Sequence, residues 1–234
     1  MASLVAFFAH PDDEAFSCAG TLAAAADRSI EIAVVCATRG EAGRARDGFA
    51  GDLAERRSAE LAASCAAIGA PEPIHLDLPD GRLEEHRSAL VERLAPHLRD
   101  VEAVITFGPD GVYGHRDHIA CTEALAEADS GATILHTVFP EGLFTELRRR
   151  LRRFPVPLVP PTDDDRRVDY VVDIGPFESR KLASIAAHRS QLGDGDPRSF
   201  LIPGLVEPLL REESYRHASG SELTGTLAEL FGRR

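Results

Sequence analysis

The chain has 234 residues, enough for one domain with a substantial core, and we expect residues 1–234 to form a single unit. Its formal net charge of −12 argues against binding to nucleic acid or to an anionic membrane, because both need a basic surface. No apolar run approaches the roughly 20 residues that span a bilayer, and the N-terminus lacks the pattern of a signal peptide. The four cysteines are widely spaced, which favours reduced thiols. We therefore expect a cytoplasmic protein.

The first half of the chain alternates strand-like and helix-like segments. Apolar, β-branched runs predict strands at residues 4–8, 31–37, 74–78, 101–107 and 133–139. Helical periodicity predicts helices at residues 20–28, 53–68, 83–98 and 115–128. Asp52 has the position of an N-cap for the second helix, and Pro96 predicts a break in the third. This βαβα order indicates an α/β fold, a Rossmann-like three-layer αβα sandwich with a mostly parallel sheet.

The pattern is weaker after residue 141, where we expect a small C-terminal elaboration. Basic and proline-rich segments come first, followed by a final strand, a helix and a turn, at residues 148–153, 154–161, 168–174, 176–188 and 193–197. No G-x-G-x-x-G follows the first predicted strand, so a dinucleotide-binding role loses its main support.

A first polar motif, Ala-His-Pro-Asp-Asp-Glu at residues 9–14, follows directly on the first predicted strand. Open α/β sheets hold their ligands beyond the carboxyl ends of the strands, so this loop is a candidate site. His10 and Asp13 are placed to share one metal ion, which leaves Asp12 free to move a proton. The alternative is that Asp12 and Asp13 only cap the helix that follows.

A second polar motif, Gly-His-Arg-Asp-His at residues 114–118, begins a helix just beyond the fourth predicted strand. His115 and His118 are three residues apart and therefore share one helical face. Two loops from the same edge of the sheet would bring His10, Asp13 and one of these histidines together. Two imidazoles and one carboxylate are the ligand set of a catalytic zinc site, with a fourth position for water.

Three motifs together resemble the LmbE-like (PIG-L) family of zinc-dependent N-acetylglucosaminyl deacetylases. They are A-H-P-D-D-E at 9–14, T-R-G-E-A-G at 38–43 and G-H-R-D-H-I-A at 114–120. Weaker matches extend the resemblance at residues 57–60, 78–81 and 188–191. The resemblance implies Zn²⁺, or another divalent metal, held by His10, Asp13 and His118.

The resemblance also implies catalytic roles for three further residues. Asp12 corresponds to the general base of the family. His115 corresponds to the histidine that polarises the acyl oxygen or protonates the leaving amine, and either Asp12 or His115 could supply that proton. Asp117 corresponds to the carboxylate that pairs with His115 and keeps it charged, although a two-residue spacing on a regular helix is poor for such a contact.

Four more residues are candidate substrate contacts: Arg39, Glu41, Arg57 and Asp80. Each also has an ordinary structural explanation. Arg39 and Glu41 could form a surface ion pair, and Arg57 could form an i,i+3 salt bridge with Glu60. Asp80 could simply start a turn.

These observations lead to the hypothesis of a hydrolase that removes an N-acetyl group from an N-acetylglucosamine-type sugar or conjugate. Two alternatives stay open: an amidase of a mycothiol-like conjugate or acylated natural product, and a non-catalytic sugar-binding relative. The expected partner is a small amino sugar or its conjugate, with homo-oligomers known in the family. His188, within the weak match at 188–191, has either a packing role or a catalytic one.

Overall fold

The computed structural model describes residues 3–140, 143, 166–201 and 205–234. These residues form an eight-stranded sheet with the order β3-β2-β1-β4-β5-β7-β6-β8. In chain order the strands are β1 (Ser3–Phe8), β2 (Glu31–Cys36), β3 (Ile74–His75), β4 (Ala103–Thr106), β5 (Thr133–Val138), β6 (Tyr170–Asp173), β7 (Glu212–Ser219) and β8 (Gly232–Arg233). Neighbours from β3 to β5 are parallel, and the pairs that involve β7 and β8 are antiparallel.

Helices cover both faces of this sheet. In chain order those described are α1 (Asp13–Ser17), α2 (Ala19–Asp27), α3 (Leu53–Ile68), α4 (Arg87–Leu94), α5 (Gly111–Gly114), α6 (Arg116–Ala128), α7 (Glu178–Ala187), α8 (Pro197–Phe200), α9 (Val206–Arg211) and α10 (Gly225–Leu230). No helix in the described part of the chain is both long and apolar enough to cross a bilayer.

Alternate residues of β1 belong to different layers of the core. Leu4 and Phe8 pack into one apolar cluster with residues of α2 and α3. Val5 and Phe7 pack into a second cluster with residues of α4 and α6. Because strand side chains alternate between faces, a strand buried on both sides must be apolar throughout. The expected three-layer α/β fold is confirmed.

The site lies where the order of the strands changes direction. From β1 the chain continues to β2 and β3 on one side, and then returns to β4 and β5 on the other. The loops after β1 and β4 therefore diverge above a crevice, the usual ligand position in such sheets. His10 follows β1, and residues 107–118 follow β4.

Several elements differ from expectation. The third strand is only two residues long, although the N–H groups of Leu76 and Leu78 still donate to the carbonyls of Cys36 at the end of β2 and of Ala37 just after it. The helix expected at 83–98 is divided into 3₁₀, α and 3₁₀ segments, and the last of these contains Pro96. β6 is not the final strand, since β7 and β8 follow it, and α1 was not expected. Residues 148–161 lie outside the described part of the chain.

Two local expectations are confirmed. The Asp52 carboxylate caps α3 by accepting the N–H of Glu55 at 3.1 Å. All four cysteines are free and buried, and burial raises the pKa of each thiol.

Candidate metal centre and active site

The two motif loops meet in the crevice around the Asp13 carboxylate. Its Oδ2 lies 3.4 Å from Nδ1 of His10, and its Oδ1 lies 3.5 Å from Nε2 of His118. The ring centroids of the two histidines are 5.3 Å apart. The structure thus brings together the three residues that the sequence singled out as metal ligands.

Two sets of three donors have ligand atoms that all lie within 4.8 Å of one another: His10 with His115 and His118, and His10 with Asp80 and Asp117. His10 belongs to both sets. Asp13 belongs to neither, but it contacts two of the imidazoles directly. Nitrogen and carboxylate donors at this density suit a transition metal such as zinc. The described residues therefore bring together His and Asp donors that could hold a metal ion.

The electrostatics of this cluster link its imidazoles to its carboxylates. Burial opposes charge on His10, but hydrogen bonds with Asp117, Asp13 and Asp80 raise its pKa well above the ordinary value. Burial also opposes charge on Asp13, and His118 and His10 nevertheless hold its pKa well below the ordinary range. Because imidazoles must lose their protons to bind a metal, metal affinity at such a cluster falls with acid.

Asp12 sits in a strained backbone conformation at the start of α1. Its φ of 119° and ψ of −22° lie in the left-handed region, which costs a non-glycine residue about 1–3 kcal/mol. Burial raises the pKa of Asp12, while the nearby Arg57 guanidinium acts to lower it. Strain of this kind persists only where neighbouring contacts impose it.

The Asp117 carboxylate has partners other than the expected His115. It accepts the N–H of Gly81 at 2.7 Å and that of Leu83 at 3.1 Å, and its Oδ2 lies 3.3 Å from Nε2 of His10. His115 is the N-cap of α6, so Asp117 reaches its Nδ1 only through the backbone N–H, at 3.3 Å. The short spacing on the helix explains the difference.

His115 has the character of a neutral imidazole. Burial, followed by the nearby His118 and His10, lowers the pKa of His115 to about 4. The expectation that Asp117 keeps this ring charged is therefore wrong for this arrangement. Because Nδ1 accepts the N–H of Asp117, the neutral ring carries its proton on Nε2.

Asp80 is the candidate substrate residue that lies closest to the metal site. Its Oδ1 is 3.1 Å from Nε2 of His10. Burial acts to raise the pKa of Asp80, but His10 and the N–H of Ala42 together hold it below the ordinary value. The backbone N–H of Asp80 donates to Glu41 at 2.8 Å. Arg39 donates to Asp77 at 2.7 Å, so the Arg39–Glu41 ion pair is not present.

Arg57 is buried and does not pair with Glu60. Its Nη2 lies 3.3 Å from Oδ1 of Asp12, and its Nη1 donates to the carbonyl of Gly40 at 3.0 Å. Arg56 takes the Glu60 carboxylate instead, at 3.0 Å and the better i,i+4 spacing. Arg57 thus links Asp12, the expected general base, to the loop that follows β2.

Aromatic residues around the histidines were not singled out from the sequence. Phe107 stacks on His118 with ring centroids 4.3 Å apart, and Tyr113 meets His115 edge-on at 5.8 Å. Burial raises the pKa of the Tyr113 hydroxyl. Val112 has a φ of 70°, which turns this loop sharply. The one available signal was the position of Tyr113, two residues before His115.

A cavity of about 590 Å³ adjoins these loops. Its walls include Phe16 from α1, Val112 from the loop that carries the histidines, and Leu209 and Arg216 from the C-terminal region. None of the residues in the two donor sets lines it. The C-terminal region therefore contributes surface next to the site.

The comparisons with known proteins agree with these observations. A family model described as GlcNAc-PI de-N-acetylase (PIG-L) matches residues 5–128, which contain every residue of the two donor sets. A 1D-myo-inositol 2-acetamido-2-deoxy-alpha-D-glucopyranoside deacetylase from Saccharomonospora viridis is 31% identical, over 96% of this chain and 97% of its own length.

Solved structures share the fold. The N,N'-diacetylchitobiose deacetylase from Pyrococcus horikoshii has a TM-score of 0.62 and 22% identity, over 92% of this chain and 83% of its own. The 4-carboxy-2-hydroxymuconate hydratase from Pseudomonas putida has a TM-score of 0.66 and 17% identity, over 96% and 99%. At these identities the likeness concerns the fold alone. The matched family model and the extended sequence similarity show that the chain belongs to the PIG-L (LmbE-like) family of GlcNAc-PI de-N-acetylases.

Proposed function

We propose that this protein is a zinc-dependent N-deacetylase that hydrolyses the acetamido group of an N-acetylglucosamine-type sugar or conjugate. The observation that carries the proposal is the position of Asp12, a partly buried carboxylate whose neighbour Asp13 joins two imidazoles in the crevice. The named activity of the Saccharomonospora relative supports the substrate class. The alternatives of a thiol-conjugate amidase or a sugar-binding protein have no comparable support in the contacts described.

His10, Asp13 and His118 would hold the metal, since both imidazoles lie within 3.5 Å of the Asp13 carboxylate. The chemistry that zinc would supply in this position is polarisation of the amide carbonyl and a lower pKa for water, towards about 7. Asp80 and Asp117, both close to Nε2 of His10, would orient that ring.

Asp12 would act as the general base. Burial raises its pKa above the ordinary carboxyl value, which makes it a stronger base, and the Arg57 guanidinium opposes that rise. Asp12 takes a proton as water attacks the acetyl carbon. The C–N bond then breaks, and the protonated Asp12 returns that proton to the leaving amine.

His115 would stabilise the developing charge on the acyl oxygen as a neutral donor. Its pKa of about 4 leaves no charge at neutral pH, and the Asp117 N–H places the remaining ring proton on Nε2. A single donor of this kind is worth about 10²–10³ in kcat. This assignment makes Asp12, rather than His115, the acid for the leaving amine.

Arg39, Glu41, Arg57 and Asp80 are the candidate contacts to sugar hydroxyls. Asp80 is the strongest of them, because its carboxylate lies beside His10 at the rim of the metal site. Arg57 would contact both the substrate and Asp12. Arg39 and Glu41 lie further out, on the exposed loop after β2.

The test is acetate release from a panel of N-acetylglucosaminyl inositol, diacetylchitobiose and acylated thiol conjugates, with metal analysis of the same sample. Asp12→Asn tolerates the left-handed backbone, and it should lower kcat by about 10²–10⁴ with the metal retained. Asp100→Asn, at an exposed aspartate that also has a left-handed backbone with a φ of 59°, is the matched control. Chelation should abolish activity and zinc should restore it. Near-normal turnover by Asp12→Asn, or turnover that survives chelation, would contradict the mechanism.

A further inference from the structure

Glu14 is a buried carboxylate to which the proposed reaction assigns no role. Its Oε1 accepts from the Ser64 hydroxyl at 2.6 Å and contacts Nε2 of His188 at 2.7 Å. Its Oε2 accepts the backbone N–H of Asp12 at 3.0 Å. Both Glu14 and His188 have side chains only 1% exposed. An isolated buried charge is very costly, so these donors are what allow a carboxylate at this position.

The bond from Asp12 to Glu14 acts on the strained residue of the site. Asp12 holds a φ of 119° without any capping hydrogen bond from its own side chain. The hydrogen bond from its N–H to Glu14 holds this conformation instead, and contacts with His188 and Ser64 hold Glu14 in place. The direction of the Asp12 carboxylate depends on this backbone conformation.

The segment that supplies His188 also holds the rim of the site. Ser190 donates its N–H at 2.8 Å and its hydroxyl at 2.6 Å to Glu60 on α3. The carbonyl of Ser190 accepts the N–H of Arg46, in the loop after β2, at 2.7 Å. Residues 188–191, one of the three weaker motif matches, thus connect the C-terminal half with α1, α3 and the loop after β2.

We propose that Glu14 and His188 are positioning residues that hold Asp12 in its strained conformation and so aim its carboxylate at the reacting water. The inference rests on the proposed function, in which Asp12 is the general base. His188 donates its Nε2–H to Glu14, and Glu14 transmits that constraint to the N–H of Asp12. A misplacement of about 1 Å at a reacting group costs about 100-fold in rate.

Three variants test this role. His188→Leu removes the donor to Glu14 and keeps apolar bulk, whereas His188→Gln retains an N–H donor. Ser184→Ala is the matched control, because its hydroxyl lies in the same buried network, 2.7 Å from Ser64, without touching Glu14. For each variant we would measure kcat, KM, metal content per chain, thermal unfolding and hydrogen exchange of the Asp12 amide.

His188→Leu should lower kcat by about 10- to 100-fold and speed exchange of the Asp12 amide, with KM and metal content held within about twofold. His188→Gln should recover most of this loss, and Ser184→Ala should keep the wild-type kcat and exchange rate. The proposal is overturned if kcat and exchange stay at wild-type values in His188→Leu, if Ser184→Ala loses as much activity, or if lost metal accounts for the whole decrease.

Two results separate this inference from its premise. If the wild-type protein released no acetate from any substrate of the panel, the proposed function would fail, and the exchange rate of the Asp12 amide would still show whether His188 holds it. If His188→Leu failed to fold, His188→Asn, whose side chain is too short to reach Glu14, would take its place beside Ser184→Ala. Lower kcat and faster Asp12 amide exchange in His188→Asn alone would support the link, whereas wild-type values in it, or equal loss in Ser184→Ala, would refute it.

Discussion

Replacement of Arg57 by leucine should both destabilise the fold and change the pH dependence of activity. The Arg57 side chain is only 5% exposed, and its Nη2 lies 3.3 Å from Oδ1 of Asp12. Coulomb's law with an effective dielectric constant of about 20 gives about 5 kcal/mol of attraction at that distance. Desolvation offsets part of this, and loss of one member of a buried pair costs about 3–5 kcal/mol. We therefore expect Arg57→Leu to lower the free energy of unfolding by about 3–5 kcal/mol.

The direction of the pH effect follows from the role of Asp12. A general base works only when deprotonated, so the acid limb of kcat/KM reports its pKa in the free enzyme. Burial already raises that pKa, and Arg57 is the largest influence that lowers it. Arg57→Leu therefore raises the pKa further and moves the acid limb to higher pH.

The assay is urea unfolding together with the profile of kcat/KM against pH. Arg57→Lys, which keeps the charge but reaches fewer acceptors, should fall between wild type and Arg57→Leu. Arg56→Leu is the matched control, because Arg56 is 22% exposed and pairs with Asp47 and the buried Glu60 rather than with Asp12. It should leave the acid limb in place. An unmoved acid limb in folded Arg57→Leu would refute the reasoning.

Three further outcomes concern the fold. Lys181→Met breaks a fully buried ion pair, in which Nζ of Lys181 lies 2.7 Å from Glu213. The free energy of unfolding in urea should fall by about 3–5 kcal/mol. A loss below about 1 kcal/mol would show that the pair is dispensable. Gly20→Ala places a Cβ 2.6 Å from the Cβ of Ile174, so it should lower the stability of the fold by about 1–3 kcal/mol and lower Tm. Gly193→Ala, whose Cβ would meet open space, is the control and should leave Tm unchanged. The four buried thiols, whose pKa values are raised by burial, should resist a thiol reagent in the native protein and all react in denaturant.

The predictable part of the fold is the part where the strands are mostly apolar and β-branched. β1, β2, β4 and β5 are buried on both faces, so hydropathy alone locates them. β7 escaped prediction because it carries charges that are buried in pairs. Glu213 on that strand accepts from Lys181 and from the N–H groups of Gly20 and Thr21. A hydropathy pattern cannot reveal such partners, since they come from distant positions in the sequence.

The predictable part of the site is similarly limited by chain distance. The motifs identified His10, Asp13 and His118 together, and the sheet topology explains why their loops meet. Helical spacing suggested a pair between Arg57 and Glu60, but it could not show that Arg57 faces the crevice and Asp12. Periodicity gives the face of a helix, and only the tertiary arrangement decides which partner that face meets.

The boundary of the family match does not coincide with the boundary of the site. The matched residues 5–128 contain both donor sets, so ligand chemistry alone would suggest that the C-terminal half is dispensable. The strain at Asp12 argues otherwise, because the carboxylate that fixes its N–H depends on His188, 60 residues beyond that match. The proposed metal ligands lie on the two loops at the change in strand order, whereas the proposed base also depends on His188, directly after α7. Substitutions in the two halves should therefore separate metal binding from turnover.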